Sequence, residues 1–189
     1  MKKGFTLIEL LIVIGILAIL ATTVVLVLNP AQILAESRDT QRISDMDTVR
    51  NALNLLLVST TTTNVLSNTA NCYTHTATAM IAGCTPSAAP ATTRFTAGVA
   101  QTSVSRVVTG GGWIPVNFTQ VSGGSPLSVE PVDPTNTGDF YYAFRSNASN
   151  QYELDANLES TKYTVTTNKE NADGGDQSSM YEVGTSLTL

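Results

Sequence analysis

The chain has one histidine, His75, and one tryptophan, Trp113, among 189 residues. A lone imidazole excludes a His-rich metal centre, and no acid stands beside it in sequence to form an acid–base couple. No serine sits in a G-x-S-x-G setting, and glycines 110–112 lack the strand-GxxxxGK[ST]-helix context of a phosphate loop. An enzymatic role therefore has no evident residues to carry it. Basic residues are also scarce. Lys and Arg number 10 against 15 Asp and Glu, a net charge of −5, and only five bases lie from Arg94 onward, well separated. Nucleic-acid binding needs clustered cations, so it has no electrostatic basis here. Cysteine is limited to Cys72 and Cys84. With His75 they are one ligand short of a zinc site. In an exported chain two cysteines point to one disulfide, with a pair of free buried thiols as the alternative. Formal charge itself disappears between residues 51 and 93.

What the chain does have is an apolar run at its start, MKKGFTLIELLIVIGILAIL, continuing to Leu28. Residues 5–28 extend about 36 Å as a helix, enough to cross a bilayer core of about 30 Å. A cleaved secretory signal has an apolar region of only about 7–15 residues followed by small residues at its cut site, which this run does not match. A plain membrane anchor fits the length but leaves Glu9 unexplained. A charge inside a membrane helix costs about 2.5–3.5 kcal/mol at the bilayer centre, less near the interface. Residues 10–28 contain no base to offset it.

Gly4, Phe5, Thr6, Leu7, Ile8, Glu9 and Leu10 resemble the processing signature of the type IV pilin family: a glycine, an aromatic, then a glutamate five residues after the glycine, leading a long apolar helix. The resemblance implies a basic leader, residues 1–4, cut by a membrane prepilin peptidase between Gly4 and Phe5, with N-methylation of Phe5. It implies a single-pass subunit in the cytoplasmic membrane that an inner-membrane assembly platform polymerises into a helical homo-oligomer, either an extracellular pilus or the pseudopilus of a type II secretion or DNA-uptake machine. A membrane-tethered binding module or enzyme is the competing reading. The resemblance also gives Glu9 a partner, the new amine of a neighbouring subunit. Unpaired charges in an apolar bundle are costly, so such a pair acts on register.

Asn29-Pro30 predicts a kink or break, because proline removes a helical hydrogen bond and crowds the preceding turn. Residues 30–58 then read as an amphipathic helix with Ile43, Met46, Val49, Leu53, Leu56 and Leu57 on one face. Arg38, Asp39, Arg42, Asp45, Asp47 and Arg50 form a face expected to be solvated, with Asp39–Arg42, Arg42–Asp45 and Asp47–Arg50 three residues apart and able to pair. The resemblance adds that charges in the 36–47 stretch bridge subunits. Residues 59–109 are expected to be a Thr- and Ser-rich surface connection pinned by Cys72–Cys84.

Residues 110–189 read as the β-rich part. Trp113 and Ile114 are expected core anchors. Pro131, Asp133 and Pro134 resemble a pseudopilin element that leads into the first strand, here near residues 140–144. DFYYAFRS and QYELDANLES, separated by NASN, predict a hairpin; KYTVTTN and MYEVGTSLTL are further strand candidates. The fold class is therefore α+β, the type IV pilin fold, with a long kinked helix on a three- to four-stranded antiparallel sheet. No cofactor is implied beyond a structural calcium, which the resemblance suggests and for which Asp133, Asp139, Asp173 and Asp176 are the candidate ligands; ordinary turns are the alternative.

Overall fold

The computed structural model describes residues 4–60, 65–66, 71–76, 80–86, 94–95 and 98–189. Lys2 and Lys3 of the leader, and much of the Thr- and Ser-rich tract, lie outside them.

Two helices open the chain: α1 (Leu7–Leu28) and α2 (Pro30–Ser59). Thr6 caps α1, its hydroxyl accepting from the Glu9 amide at 3.3 Å. Asn29 ends it in a left-handed conformation, φ 41°, which asparagine tolerates better than most residues. Pro30 then takes the first position of α2, where its missing N–H is no loss. Asn29 O accepts from Gln32 N at 3.0 Å and starts the second helix. The expected kink is thus a full break between two helices.

Met46, Val49, Leu53 and Leu56 of α2 are buried, with Ile43 and Leu57 flanking them, as the apolar stripe predicts. They pack on a sheet of five strands: β1 (Asn71–Thr74), β4 (Val99–Thr102), β5 (Ala143–Ser146), β6 (Tyr152–Ala156) and β7 (Tyr181–Gly184). Its order is β4-β1-β5-β6-β7; β1 and β4 run parallel, the other neighbours antiparallel. A separate two-stranded ribbon pairs β2 (Met80–Ile81) with β3 (Thr85–Pro86). Trp113, Ile114 and Phe118 close the core beside α2, all fully buried. The Trp113 indole donates to Pro131 O at 2.9 Å. Beneath them lies Glu130, whose Oε2 accepts from Ile114 N at 3.1 Å. A side chain at position 112 would meet the Glu130 carboxyl and displace it. Burial pushes that carboxyl up to about 7. A second cluster, of Cys72, Cys84, Phe95, Tyr141 and Ala143, forms around the disulfide.

The architecture is α+β, a long helix on a mostly antiparallel sheet, consistent with the pilin fold. Several local expectations give way. The sheet has five strands rather than three or four, because the expected surface connection, residues 59–109, contributes β1 and β4. β1 lies between β4 and β5, and Cys72 and Thr74 alternate inward while Asn71 and Tyr73 are half-buried. Pairing on both edges makes a strand of residues with little apolar surface. The Pro131-to-Pro134 element therefore leads into β5, not into the first strand. KYTVTTN is not a strand: Lys162–Thr166 is a single π-helical turn, closed by Thr167 N to Lys162 O at 2.8 Å and tied to α2 by Lys162 and Glu36 at 3.1 Å. The predicted hairpin stands, with Asn147 Oδ1 accepting from Ser149 N and Gln151 N in its turn.

The solvated face of α2 is also corrected. Asp39 and Arg42 are fully buried. The Arg42 guanidinium bonds Asp133 through Nε at 2.7 Å and through Nη2 at 3.1 Å, and reaches Asp39 and Glu159 at 2.7 Å each. It lies 4.7 Å from the centre of the Phe140 ring. Burial opposes the Arg42 charge, but Asp133, Glu159 and Asp39 outweigh it and hold its pKa above the ordinary value. Asp39 also accepts from Ser160 N at 2.8 Å. Asp45 does not pair with Arg42; it accepts from the Tyr142 hydroxyl at 2.8 Å. Arg38 bonds Glu159, and Asp47 pairs with Arg50 at 2.8 Å as expected. The polar half of α2 is therefore fastened to its own globular part.

Candidate functional site at the amino terminus

The apolar composition of α1 makes a helix with no polar face. Residues Leu7–Val25 are long and apolar enough to cross a membrane, and none of them is buried by the rest of the chain. Gly4 is exposed, with nothing within 4 Å of where a Cβ would stand, so a protease meets open backbone there. Phe5 is exposed as well, and begins the segment that a cut after Gly4 would free.

Glu9 is the third residue of α1. It lies in the first turn, where a negative charge interacts favourably with the unpaired amides and the helix dipole. Its side chain is exposed and forms no ion pair among the described residues. Thr6 and Glu9 stand in the T-x-x-E spacing of a capping box, and the Thr6 half of that box is made. That spacing is a start signal for the helix at residue 7 which the sequence reading did not use. The carboxylate is thus placed on a rigid first turn, beside the position where cleavage would create an amine, and is left open to a second molecule.

Residues 1–25 match the prokaryotic N-terminal methylation motif. That motif is the signature of type IV pilins and pseudopilins, and it covers Gly4, Phe5 and Glu9 together with most of α1. The methylation motif ends inside α1, so it says nothing of α2 or the sheet. Comparison with curated proteins finds no match, and comparison with solved structures finds none either.

The remaining predicted site residues lie elsewhere. Pro30 opens α2. Cys72 and Cys84 form a disulfide, Cα–Cα 5.8 Å, joining β1 to the turn before β3. The two acidic turns suggested for calcium, Asp133 to Asp139 and Asn171 to Asp176, use their acids as follows. Both Asp133 oxygens bond Arg42, and Oδ1 also accepts from Thr135 N at 2.8 Å. Asp139 offers its backbone carbonyl to Arg94. Asp173 accepts from Gly175 N and Glu182 N. Asp176 stands next to Glu153 and Glu182. In the first turn Arg42 already occupies both oxygens of Asp133.

His75 faces the Val104 carbonyl at 3.2 Å and Asn136 at 3.4 Å, with no carboxylate bonded to it among the described residues. A cavity of about 450 Å³ beside β7 is lined by Arg50, Lys169, Asp173 and Glu182 but by no histidine, cysteine or serine. Neither arrangement supplies a nucleophile with a base.

Proposed function

We propose that this chain is a structural subunit of a type IV pilus-like filament, freed by a prepilin peptidase at Phe5 and polymerised through α1. The observation that carries this reading is the contrast within one element. α1 is apolar on every side and its residues Leu7–Val25 are not buried by the rest of the described chain, yet its first turn holds one exposed carboxylate at the spacing of the methylation motif. A membrane tether has no use for that carboxylate. In a bundle of α1 helices it neutralises the amine that cleavage creates on a neighbour, and a subunit docked out of step leaves both charges unmatched. The role is structural and not enzymatic. Before assembly the subunit sits in the cytoplasmic membrane and is passed to an assembly platform there; afterwards it forms an extracellular filament.

Mass spectrometry of the amino terminus, on protein expressed with a prepilin peptidase, tests the processing. A start at methylated Phe5 is the expected result, and an intact Met1 overturns it. The Pro131–Asp133–Pro134 element favours a second reading, the pseudopilus of a secretion or DNA-uptake machine. Fibres visible on the cell surface at native expression support the pilus over the pseudopilus.

A further inference from the structure

Three stretches of backbone cross around the Glu130 carboxyl. Glu130 N donates to Arg106 O at 2.9 Å, and Arg106 Nε donates to Glu130 O at 2.7 Å. Trp113 N donates to Ser105 O at 2.9 Å, and its indole reaches Pro131 O. Residues 105–106, 112–114 and 130–131 are thereby stitched together, with the Glu130 side chain fully buried among them. One of its oxygens, Oε2, accepts from Ile114 N. The other, Oε1, has no hydrogen-bond partner among the described residues.

What covers this carboxyl is bare backbone. Gly112 lies so close that a methyl group there would collide with both carboxyl oxygens. Gly111 beside it is exposed, so the far side of the cover is solvent. Gly110 takes φ 92°, a conformation for which glycine is the natural residue. Three glycines in a row give the cover little stiffness of its own, and its anchors are Trp113 and Ile114 in the core. The charges around it are few. Arg106, half-buried, is the cation that acts on Glu130, and its Nε is already engaged with the Glu130 carbonyl. From α2, Asp45 feels Arg106 but is bonded to the Tyr142 hydroxyl; from the turn after Pro131, Asp133 is held by Arg42. The 110–114 loop and the short turn at 118–120 carry no charge. Burial outweighs the Ile114 and Trp113 amides and Arg106, which is why the carboxyl keeps its proton up to about pH 7. Once ionised, it must find water or a cation, because Oε1 faces neither. The way out that the fold offers is the glycine loop.

We propose that Glu130 and the loop at residues 110–114 form a proton-operated latch. With the proton on, the loop lies shut over the carboxyl and Trp113 stays in the core. With the proton off, the loop lifts, water reaches the carboxylate, and Trp113 opens to solvent. The folded value lies above the ordinary 4.5, so the proton stabilises the closed form, and that hold is lost as pH rises toward 7. The latch involves no residue of α1, so its failure leaves the assembly reading untouched, and the reverse holds too.

Trp113 is the sole tryptophan of the chain, so its fluorescence reads the latch directly. Full-length protein in detergent is followed from about pH 5 to about pH 9 by tryptophan emission and by acrylamide quenching. We expect a red shift and a several-fold rise in quenching with a midpoint near pH 7. Glu130→Gln, neutral at every pH and nearly the same size, should keep the closed emission throughout. Hydrogen exchange on the parent gives a readout that needs no variant. Above the midpoint the Trp113 and Ile114 amides should exchange about tenfold faster than the change in pH alone dictates, while those of β5 and β6 follow pH alone. A flat emission profile in the parent overturns the proposal. So does a Glu130→Gln variant that titrates as the parent does, and so does an equal loss of protection in β5 and β6, which is unfolding and not a latch.

Discussion

Two charges in the long helical stretch are treated in opposite ways. Arg42 on α2 is fully buried, and three carboxylates of its own chain surround it. Glu9 on α1 is exposed, and no base of its own chain pairs with it among the described residues. The same division runs through the apolar residues. Those of α2 from Met46 to Leu56 are covered by the sheet, whereas those of α1 are covered by nothing. A helix whose central polar and apolar groups are met by its own chain belongs to a domain. A helix that satisfies neither needs other molecules, which in the proposed assembly are lipid first and then protein. The helices break at Asn29, and burial begins just over a turn later, at Ala35.

The largest effect should come from the unpaired member. Glu9→Ala, in cells that carry the assembly machinery, should reduce sheared filaments to background while leaving the Tm of the purified protein unchanged. Filaments at the parent level would break the contrast outright. Next is Arg42→Met, which strands Asp39 and Asp133 as buried, unpaired acids. It should cost about 3–5 kcal/mol, lowering Tm by roughly 10 °C in a thermal melt. A loss under about 1 kcal/mol would mean that these acids reach water or protons more easily than their burial suggests.

How much of this division is legible in the sequence depends on the range of the interaction. The apolar run, the Glu9 anomaly, the Asn29-Pro30 break and the stripe from Met46 to Leu56 are local patterns, and each appears where periodicity or residue chemistry puts it. The burial of Arg42 is not local. Its partners Asp133 and Glu159 lie 91 and 117 residues away, so a run of alternating charges on α2 looks like a solvated face. β1 is hidden for a related reason. Asn71, Cys72, Tyr73 and Thr74 carry few strand signals of their own, and the pairing with β4 and β5 decides their conformation. KYTVTTN fails in the other direction: its alternation is real, but an i-to-i+5 hydrogen bond and a salt bridge to α2 override it. In the site, Gly4, Phe5 and Glu9 are legible because they form a linear motif. The meeting of Glu153 and Glu182 is not, since only the β6–β7 ladder brings them together.

Smaller effects sharpen the contrast inside the globular part. Replacing Cys72 and Cys84 together by alanine should cost about 2–4 kcal/mol in a denaturant titration, with no effect on processing at Gly4. Glu130 gives a pH signature. In the folded chain it keeps its proton up to about pH 7, whereas its ordinary value is 4.5. Its contribution is therefore fully present below about pH 4.5 and is lost as pH rises toward 7, a decline of at most about 3 kcal/mol. Glu130→Gln should flatten that part of the stability-versus-pH curve; an unchanged slope assigns it to another group. Smallest of all, Asp47→Ala removes a surface pair with Arg50 and should shift stability by less than about 0.5 kcal/mol.

The junction at Asn29 and Pro30 also has a mechanical meaning. The hydrogen-bond ladder does not run through it: Pro30 has no amide hydrogen to give, and the first amides of α2 return to Asn29 O. Turning α1 about its axis therefore changes the dihedrals of a single residue and need not unwind the helix that holds Arg42. Tension passes through such a joint and torque largely does not. A subunit drawn out of a bilayer and twisted into a bundle can follow its neighbours at one end while the sheet at the other end keeps its register.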